Sequence, residues 1–391
     1  MRQARRYSVA LLVETSSVYG RQVLKGFLRY IQADMQSQWQ VVLEERDLNA
    51  GTPAWLNDWS GDGLISRCTT PELLSAVRDR GIAFVELTDR LTVQDVDSVR
   101  SDDAAIGVMG AEHLKERGFR NFAFCGFSDE AWSLRRQNAF QEYVSELEQA
   151  EYHFFQSPWY GPEVRPWELQ RDELIGWLQS LPKPVGIMAC NDLRGKQLID
   201  CCLSAEIHVP ETVAIVGVDS DELVCNFCSP PLSSILPNPE AIGYQAALLL
   251  DRQMRKEAEP PEHYRIPPLG ISIRQSTDIV AVEDQSLAEA LKYIRDHACL
   301  GIAVSDVVKA TGISRSSLER KLRALLGRTP QQEIRNVQLK RACSLLSETN
   351  LSVEEVAVRC GFEHPEYMHV VFKRDLKITP GAFRRSAKPG A

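Results

Sequence analysis

A regular alternation of two kinds of segment constrains the fold of this chain most strongly. Short apolar or β-branched runs, such as 122–127, 185–190 and 213–218, alternate with amphipathic stretches from about residue 7 to about residue 275. Such alternation is typical of βαβ units, in which helices cover both faces of a parallel sheet. Because this stretch is longer than a domain with a single hydrophobic core usually is, the sequence predicts two similar α/β lobes with a cleft between them.

Polar residues follow several of these predicted strands, among them Asp89, Asn191 and Asp219. In open α/β sheets, ligands bind at the carboxyl ends of the strands. Carboxylate and amide groups at that place can hold neighbouring hydroxyl groups, as a sugar site requires. The alternative for each single residue is that it caps the following helix, which is the more common role. Several such residues after successive strands favour a pocket for a polyol.

The order of several segments resembles the effector core of LacI/GalR-type regulators, which has a periplasmic-binding-protein-like fold. These segments read YSVALLVE, YGRQVLKGFLRYI, RRQNAF, MACND, VAIVGVD and PPLGISIRQST. The resemblance implies that Arg136, four residues before Phe140, contacts the effector together with the three strand-end residues. It also implies aromatic stacking on a sugar face, for which Tyr19 and Trp132 are candidates, although plain packing is an equally common role.

Charge is distributed unevenly along the chain. The whole chain has a formal net charge of −8, yet residues 285–391 hold 18 basic and 11 acidic side chains. The tail is therefore basic and the preceding body strongly acidic. This asymmetry indicates that the basic tail binds phosphate groups while the acidic body has a different function.

The basic tail contains an internal repeat of about 50 residues. In each copy a small or β-branched residue, Val308 or Ala357, stands four residues before a glycine, Gly312 or Gly361, and a Thr-Pro pair closes the copy. A helix-turn-helix needs a small residue where its helices cross and a glycine that tolerates positive φ in the turn. The repeat thus predicts two helix-turn-helix units.

Helical periodicity predicts which residues of the two recognition helices face outward. In the second helix, Met368, Val371, Phe372 and Leu376 are expected to face the core. Outward basic side chains can contact guanine edges or phosphates in the major groove. The candidate DNA-contacting residues are Arg315, Ser316, Glu319, Arg320, Arg323, His364, Glu366, His369 and Lys373.

The tail also resembles the AraC/XylS-type DNA-binding domain. The match is carried by EVAVRCGFEHPEYMHVVFKRDLKITPGAFR, with residues 331–348 as the expected connecting helix. Two positions depart from the family pattern: Met368 stands near a common Phe, and Lys377 replaces a frequent Gly. The resulting fold prediction is a two-lobed α/β core (1–277), a linker (278–286) and an all-α domain with two helix-turn-helix units (287–387).

A LacI-like sugar core followed by an AraC/XylS-type domain resembles the xylose-responsive regulators. This resemblance implies a transcriptional activator, homodimeric through its core, that binds direct-repeat half-sites on double-stranded DNA and contacts RNA polymerase. It implies D-xylose or a related sugar as effector. Pentoses and hexoses differ by one hydroxymethyl group, so another sugar or sugar acid stays open.

Other classes of protein fit the sequence less well. A carboxylate pair among Glu14, Asp89 and Asp219 would suit a glycosidase, but a hydrolase has no use for a doubled helix-turn-helix. Cys225 and Cys228 lack a second ligand pair, so we expect packed thiols and neither a metal nor a cofactor. No apolar run is long enough for a membrane span or a signal peptide, which predicts a cytoplasmic protein and disfavours an exported sugar-binding protein.

Overall fold

The computed structural model describes residues 6–33, 38–44, 50–88, 95–257, 260–278, 284–349 and 351–387. The chain divides into two compact units, Met1–Ile279 and Val280–Ala391. Part of the expected linker, residues 279–283, lies outside the described residues. Among the described residues, no helix combines the length and the apolar character needed to cross a membrane.

The first unit alternates strands and helices along the chain. Its strands are β1 (Arg6–Leu12), β2 (Gln38–Glu44), β3 (Gly63–Ser66), β4 (Ala83–Glu86), β5 (Asp97–Ser101), β6 (Asn121–Phe127), β7 (Glu151–Ser157), β8 (Val185–Ala189), β9 (Val213–Val218), β10 (Ser233–Leu236), β11 (His263–Ile266) and β12 (Gly270–Ser272). Its helices are α1 (Val18–Ala33), α2 (Pro71–Arg80), α3 (Asp103–Lys115), α4 (Ala131–Ser145), α5 (Trp167–Ser180), α6 (Asp192–Ser204), α7 (Glu222–Phe227) and α8 (Pro239–Met254). Short 3₁₀ turns lie at Ala54–Asp58 and Gln275–Thr277.

The strands form two sheets, one in each lobe. The first has the order β11-β5-β4-β3-β1-β2 and the second the order β12-β10-β9-β8-β6-β7. Neighbouring strands run parallel, except that β12 is antiparallel to β10. Strands β8 and β9 are buried along their whole length, because helices cover both faces of a parallel sheet. The predicted fold class of the core is confirmed.

The second unit is helical. Its helices are α9 (Gln285–His297), α10 (Val304–Thr311), α11 (Arg315–Leu326), α12 (Pro330–Glu348), α13 (Val353–Arg359), α14 (Pro365–Leu376) and α15 (Pro380–Ala387), with a 3₁₀ turn at Ala298–Leu300. Side-chain caps start several of these helices; Thr329 accepts from the backbone N–H of Gln332 and begins the connecting helix α12. The predicted all-α domain with two helix-turn-helix units is confirmed.

Both turn glycines have the left-handed conformation that the repeat predicts. Gly312 (φ 69°) follows α10 and Gly361 (φ 71°) follows α13. Gly361 also lies against the backbone at Cys299, and a Cβ atom there would come within 2.7 Å of the Cys299 carbonyl. This second turn therefore needs glycine both for its φ angle and for its close packing.

The inward faces of the recognition helices fit the predicted periodicity with one exception. Met368, Val371 and Phe372 are buried in the core of the second helix-turn-helix unit. Leu376, predicted to face inward, is 36% exposed because it lies in the last turn of α14. Lys377 ends that helix with φ 62°, a backbone conformation that is less favourable for lysine than for glycine.

Candidate functional site

A cavity lies at the carboxyl ends of strands from both sheets of the first unit. It measures about 790 Å³, including the part that is open to solvent, which is within the ~300–1,000 Å³ typical of small-molecule sites. Its lining is formed by Glu14, Ser17, Tyr19, Arg67, Leu87, Thr88, Arg100, Ser101, Asp103, Glu130, Ala131, Trp132, Arg135, Arg136, Trp159, Asn191 and Asp219. Five of the six predicted effector contacts are thus brought together.

Arg136 is held firmly in the wall of this cavity. Its Nε lies 2.9 Å from Asp103 Oδ1, and its Nη1 donates to the Cys190 carbonyl oxygen at 2.6 Å. Asp103 also accepts from Arg135 at 2.8 Å, so one buried carboxylate orients two guanidinium groups. A buried charge needs such partners, and the pairing fixes Arg136 in a single orientation.

Asp219 follows β9 and has an unusual backbone conformation, with φ 107°. Such positive φ values in residues other than glycine are concentrated at functional sites. No hydrogen bond joins its carboxylate to another residue in the described part of the chain. Burial raises the pKa of Asp219 and outweighs the opposite effect of the Arg136 and Arg67 guanidinium groups, so that the pKa is about 6. A carboxylate without a hydrogen-bonded partner in a cavity is well suited to accept from ligand hydroxyl groups.

Asn191 combines the two roles considered for it. Its Oδ1 accepts from the Arg194 backbone N–H at 2.9 Å and so caps α6. The same residue lines the cavity, where its amide nitrogen is a further donor. Behind it, Asp192 accepts from Ser234 Oγ at 2.6 Å and from the Asp221 backbone N–H at 2.7 Å. Burial and the nearby Asp219 raise the pKa of Asp192.

Tyr19 lies beside an ion pair that the sequence did not reveal. The Arg67 guanidinium stacks on its ring, 4.3 Å from the centroid, and the Tyr19 hydroxyl is 2.9 Å from Ser101 Oγ. Arg67 also pairs with the buried Glu14 carboxylate, whose second oxygen has no hydrogen-bond partner among the described residues. Glu14 therefore offers an unused acceptor in the cavity wall.

Aromatic rings form another side of the cavity. Trp132 is tilted edge-on to Trp159, with centroids 5.6 Å apart, and Trp159 stacks on Phe127 at 4.4 Å. The Trp132 indole N–H donates to Glu130 at 2.7 Å, which satisfies its polar atom. Two fixed indole rings provide an apolar surface for the carbon-bound hydrogens of a sugar.

The cavity contains more residues than the sequence predicted. Asp89 lies outside the described residues. Arg67, Asp103, Glu130 and Trp159 line the cavity but were not predicted. Each of them follows a strand closely or starts the next helix, so the strand-end rule would have found them if it had been applied to every strand.

No group of three or more His, Cys, Asp or Glu side chains in the described ranges is arranged to hold a metal ion. Cys225 and Cys228 are buried free thiols. Burial raises the pKa of both, which disfavours the thiolate form that a metal would require.

The candidate DNA-contacting residues lie on or beside α11 and α14. The exposed side chains among them are those of Arg315, Ser316, Arg320, Arg323, His364, Glu366 and Lys373. Glu319 is partly buried and forms an ion pair with Arg315, at 3.1 Å. His369, predicted to face outward, is also only partly exposed. Its neighbour Val370, which is not among the predicted contacts, is 56% exposed.

Family models match three consecutive parts of the chain. Residues 8–95 match the XylR N-terminal domain, residues 111–277 a periplasmic binding protein-like domain, and residues 307–386 a helix-turn-helix domain. The order of these matches agrees with the two-lobed core and the helical unit described above.

Similar proteins extend over nearly the full length. The xylose operon regulatory protein of Escherichia coli (strain K12) is 34% identical over 389 residues, 97% of each chain. That of Haemophilus influenzae is 31% identical over 97% of this chain and 98% of its own. The solved structure of the xylose-binding transcription activator xylR covers 98% of both chains at 32% identity, with a TM-score of 0.82. The chain belongs to the family of xylose operon regulatory proteins, transcription regulators with a sugar-binding domain and an AraC-type helix-turn-helix domain.

Proposed function

We propose that the effector of this regulator is D-xylose, bound in the cavity between the two lobes, and that the liganded protein activates genes for xylose uptake and catabolism. The observation that carries the proposal is the cavity itself, in which Asp219, Arg136, Asn191 and two tryptophans meet. Hydrogen-bonding groups beside flat aromatic surfaces are the chemistry that a sugar ring requires.

The pairing of charges in the cavity supports a neutral sugar over a sugar acid. Arg136 and Arg135 are engaged by Asp103, and Arg67 is engaged by Glu14. The acceptors of the cavity lining that have no hydrogen-bond partner in the described structure include the Asp219 carboxylate and one carboxylate oxygen of Glu14. Such oxygens accept hydrogen bonds from hydroxyl groups and repel a bound carboxylate.

The effector-binding residues that we propose are the six predicted from the sequence together with one residue from the structure. Asp89 is retained as a proposal on the strand-end pattern alone, and Glu14 is added because of its unused buried oxygen. The full set is Glu14, Tyr19, Asp89, Trp132, Arg136, Asn191 and Asp219.

We propose that the regulator works as a homodimer joined through residues 1–277, with 278–286 as a linker and 287–387 as the DNA-binding domain. Sugar binding closes the two lobes of each core. Closure changes the relative orientation of the two cores in the dimer and brings the helix-turn-helix units into register on direct-repeat half-sites. RNA polymerase then contacts the bound protein. Sugar must bind the DNA-competent state more tightly, since equal affinity for both states would shift nothing.

In this account, the DNA contacts come from α11 and α14, through the residues predicted from the repeat. The protein acts in the cytoplasm, where its operator DNA lies, and it performs no chemistry on its sugar.

Arg320 and Lys373 are the most informative pair of residues to substitute in a test of the DNA contacts. Loss of a base contact relaxes specificity at one position, whereas loss of a phosphate contact weakens binding to all sequences and lowers the salt dependence.

The effector is tested by thermal unfolding of the purified chain with D-xylose, L-arabinose, D-ribose, D-glucose and D-xylonate. At about 100 times its dissociation constant, a ligand stabilises the native state by roughly 2.7 kcal/mol. We expect a shift with D-xylose and none with D-xylonate. A thermal shift with another sugar alone would identify that sugar as the effector in place of xylose. The absence of a shift with every compound would refute the sugar proposal.

Asp219→Asn and Glu222→Gln form a matched pair for the same measurement. Asp219 lines the cavity, whereas Glu222 is three residues away on the exposed side of α7. We expect the first substitution to abolish most of the shift and the second to leave it unchanged. Equal thermal shifts in the two variants would show that Asp219 does not bind the sugar.

A further inference from the structure

The outward face of α14 has an apolar residue at its centre. Val370 is 56% exposed, although it stands between the exposed charged residues Glu366 and Lys373 on the same face. Its neighbour Val371 is fully buried, and so are Met368 and Phe372 on the opposite face. The rotation of the helix is therefore fixed by its core contacts, and Val370 points outward with no role in that core.

The corresponding face of α11 is different. Its exposed side chains include Arg315, Ser316, Arg320 and Arg323. No large apolar side chain of α11 is exposed among the residues that the structure describes. The two recognition helices thus present different chemistry, one basic and polar, the other with a branched apolar group between two charges.

The partner that fits this face is the major groove of DNA. Residues 285–391 are basic in sum, and Lys373 and Arg374 lie on the last turns of α14, beside Val370. Within the major groove, the 5-methyl group of thymine is the one apolar group on a base edge, and small apolar side chains contact it. An exposed valine at the centre of a recognition helix is complementary to that methyl group.

We infer that Val370 contacts a thymine 5-methyl group, so that the second helix-turn-helix unit requires thymine at one position of its half-site. Val370 is then a specificity-determining residue that the positions predicted from the repeat do not include. The inference rests on DNA binding by this family and does not depend on which sugar is the effector.

The test starts from a duplex selected by the full-length protein from a random DNA library at low salt, in separate selections without sugar and with each compound of the thermal-unfolding panel. Each thymine of that duplex is then replaced by uracil, which removes the methyl group and leaves base pairing intact. We expect one replacement under α14 to weaken binding about fourfold, the effect of one methyl-sized apolar group.

The variant Val370→Ala is measured on the same duplexes. It should bind the thymine duplex about fourfold more weakly than the native protein does, and the critical uracil replacement should then have no further effect. This non-additivity separates a direct contact from a general loss of stability, which would weaken binding to all duplexes equally.

Val358→Ala is the matched control, because Val358 is also an exposed valine (69%) of the same unit but lies on α13. It should behave as the native protein does. If Val370→Ala retains the full sensitivity to uracil, the inference is wrong. If Val370→Ala binds every duplex normally but no longer activates transcription, Val370 contacts a protein, and the inference is again wrong. A native protein that selects no duplex would refute DNA binding itself, together with this inference.

Discussion

Arg136 and Asp103 form a buried ion pair at the edge of the cavity, with 2.9 Å between Arg136 Nε and Asp103 Oδ1. The arginine comes from α4 and the aspartate begins α3, two helices that pack closely on each other. Because Asp103 and the Cys190 carbonyl hold its donors, Arg136 is oriented before any ligand arrives. Preorganised groups of this kind reduce the entropy cost of binding.

The first prediction concerns Arg136→Lys. Lysine retains the positive charge but lacks the planar fork that reaches both Asp103 and the Cys190 carbonyl. We expect sugar affinity, measured by calorimetry, to fall at least about tenfold, the effect of losing one charge-assisted hydrogen bond. The control is Arg120→Lys, at an exposed position outside the cavity. Unchanged affinity in Arg136→Lys would show that the guanidinium does not support the effector.

The second prediction is a pH dependence of sugar binding. Burial raises the pKa of Asp219 to about 6, so the carboxyl is ionised at pH 7.5 and protonated at pH 5. Only the ionised form accepts hydrogen bonds through both oxygens. Sugar affinity should therefore fall as the pH drops below about 6, by up to about tenfold per pH unit. In Asp219→Asn the weak residual affinity should be far less dependent on pH. A native affinity that is constant from pH 7.5 to pH 5 would contradict this role.

A third prediction concerns the packing of the DNA-binding unit. The buried Gln338 side chain on α12 donates to the carbonyl oxygens of Ala298, at 2.9 Å, and Gly361, at 3.0 Å. Gln338→Met preserves the shape but leaves both acceptors without this donor, which costs about 1–3 kcal/mol of unfolding free energy. The exposed Gln331 at the start of α12 provides the control, Gln331→Met. Equal thermal stability of the two variants would show that the Gln338 bonds contribute nothing.

The fourth prediction concerns stability in acid. Burial, together with the smaller effect of the Arg117 guanidinium, lowers the pKa of His113 to about 3. The folded state keeps His113 neutral, whereas the unfolded chain protonates it near its ordinary value of about 6.5. Its contribution is complete above that pH and is lost toward pH 3, by up to about 1.4 kcal/mol of unfolding free energy per pH unit.

Urea unfolding between pH 7.5 and pH 5.5 measures this effect. His113→Gln keeps a side chain that can bond to Thr277, which lies 2.8 Å from His113 Nε2 in the native protein, but it does not titrate. The variant should lose less stability than the native protein over this range. Parallel pH profiles for the two proteins would rule out His113 as a source of acid sensitivity.

The sequence predicted those features that depend on local pattern. Periodicity located strands such as β8 and β9, and the strand-end rule brought Asn191 and Asp219 to one cavity. The turns at Gly312 and Gly361 were predictable because glycine is the residue type that a positive φ angle favours. Lys377 shows the limit of this argument, since it adopts φ 62° at a place where glycine would be expected.

Features that depend on distant contacts were not predictable in the same way. Glu14 and Arg67 are 53 residues apart, and Asp103 and Arg136 are 33 apart. Nothing in a single sequence indicates which carboxylate meets which arginine, because the pairing depends on how the strands are ordered in the sheet. The exposure of Val370 likewise depends on the rotation of α14, which its buried neighbours fix.

We propose that sugar binding and DNA binding are coupled in this regulator. The coupling is tested by the affinity of the full-length protein for its selected duplex, measured by fluorescence anisotropy with and without saturating D-xylose. Coupling of the usual size would tighten DNA binding about 5- to 150-fold. We expect such tightening in the native protein and its loss in Asp219→Asn. Equal DNA affinity with and without D-xylose, in a protein that binds both, would contradict it.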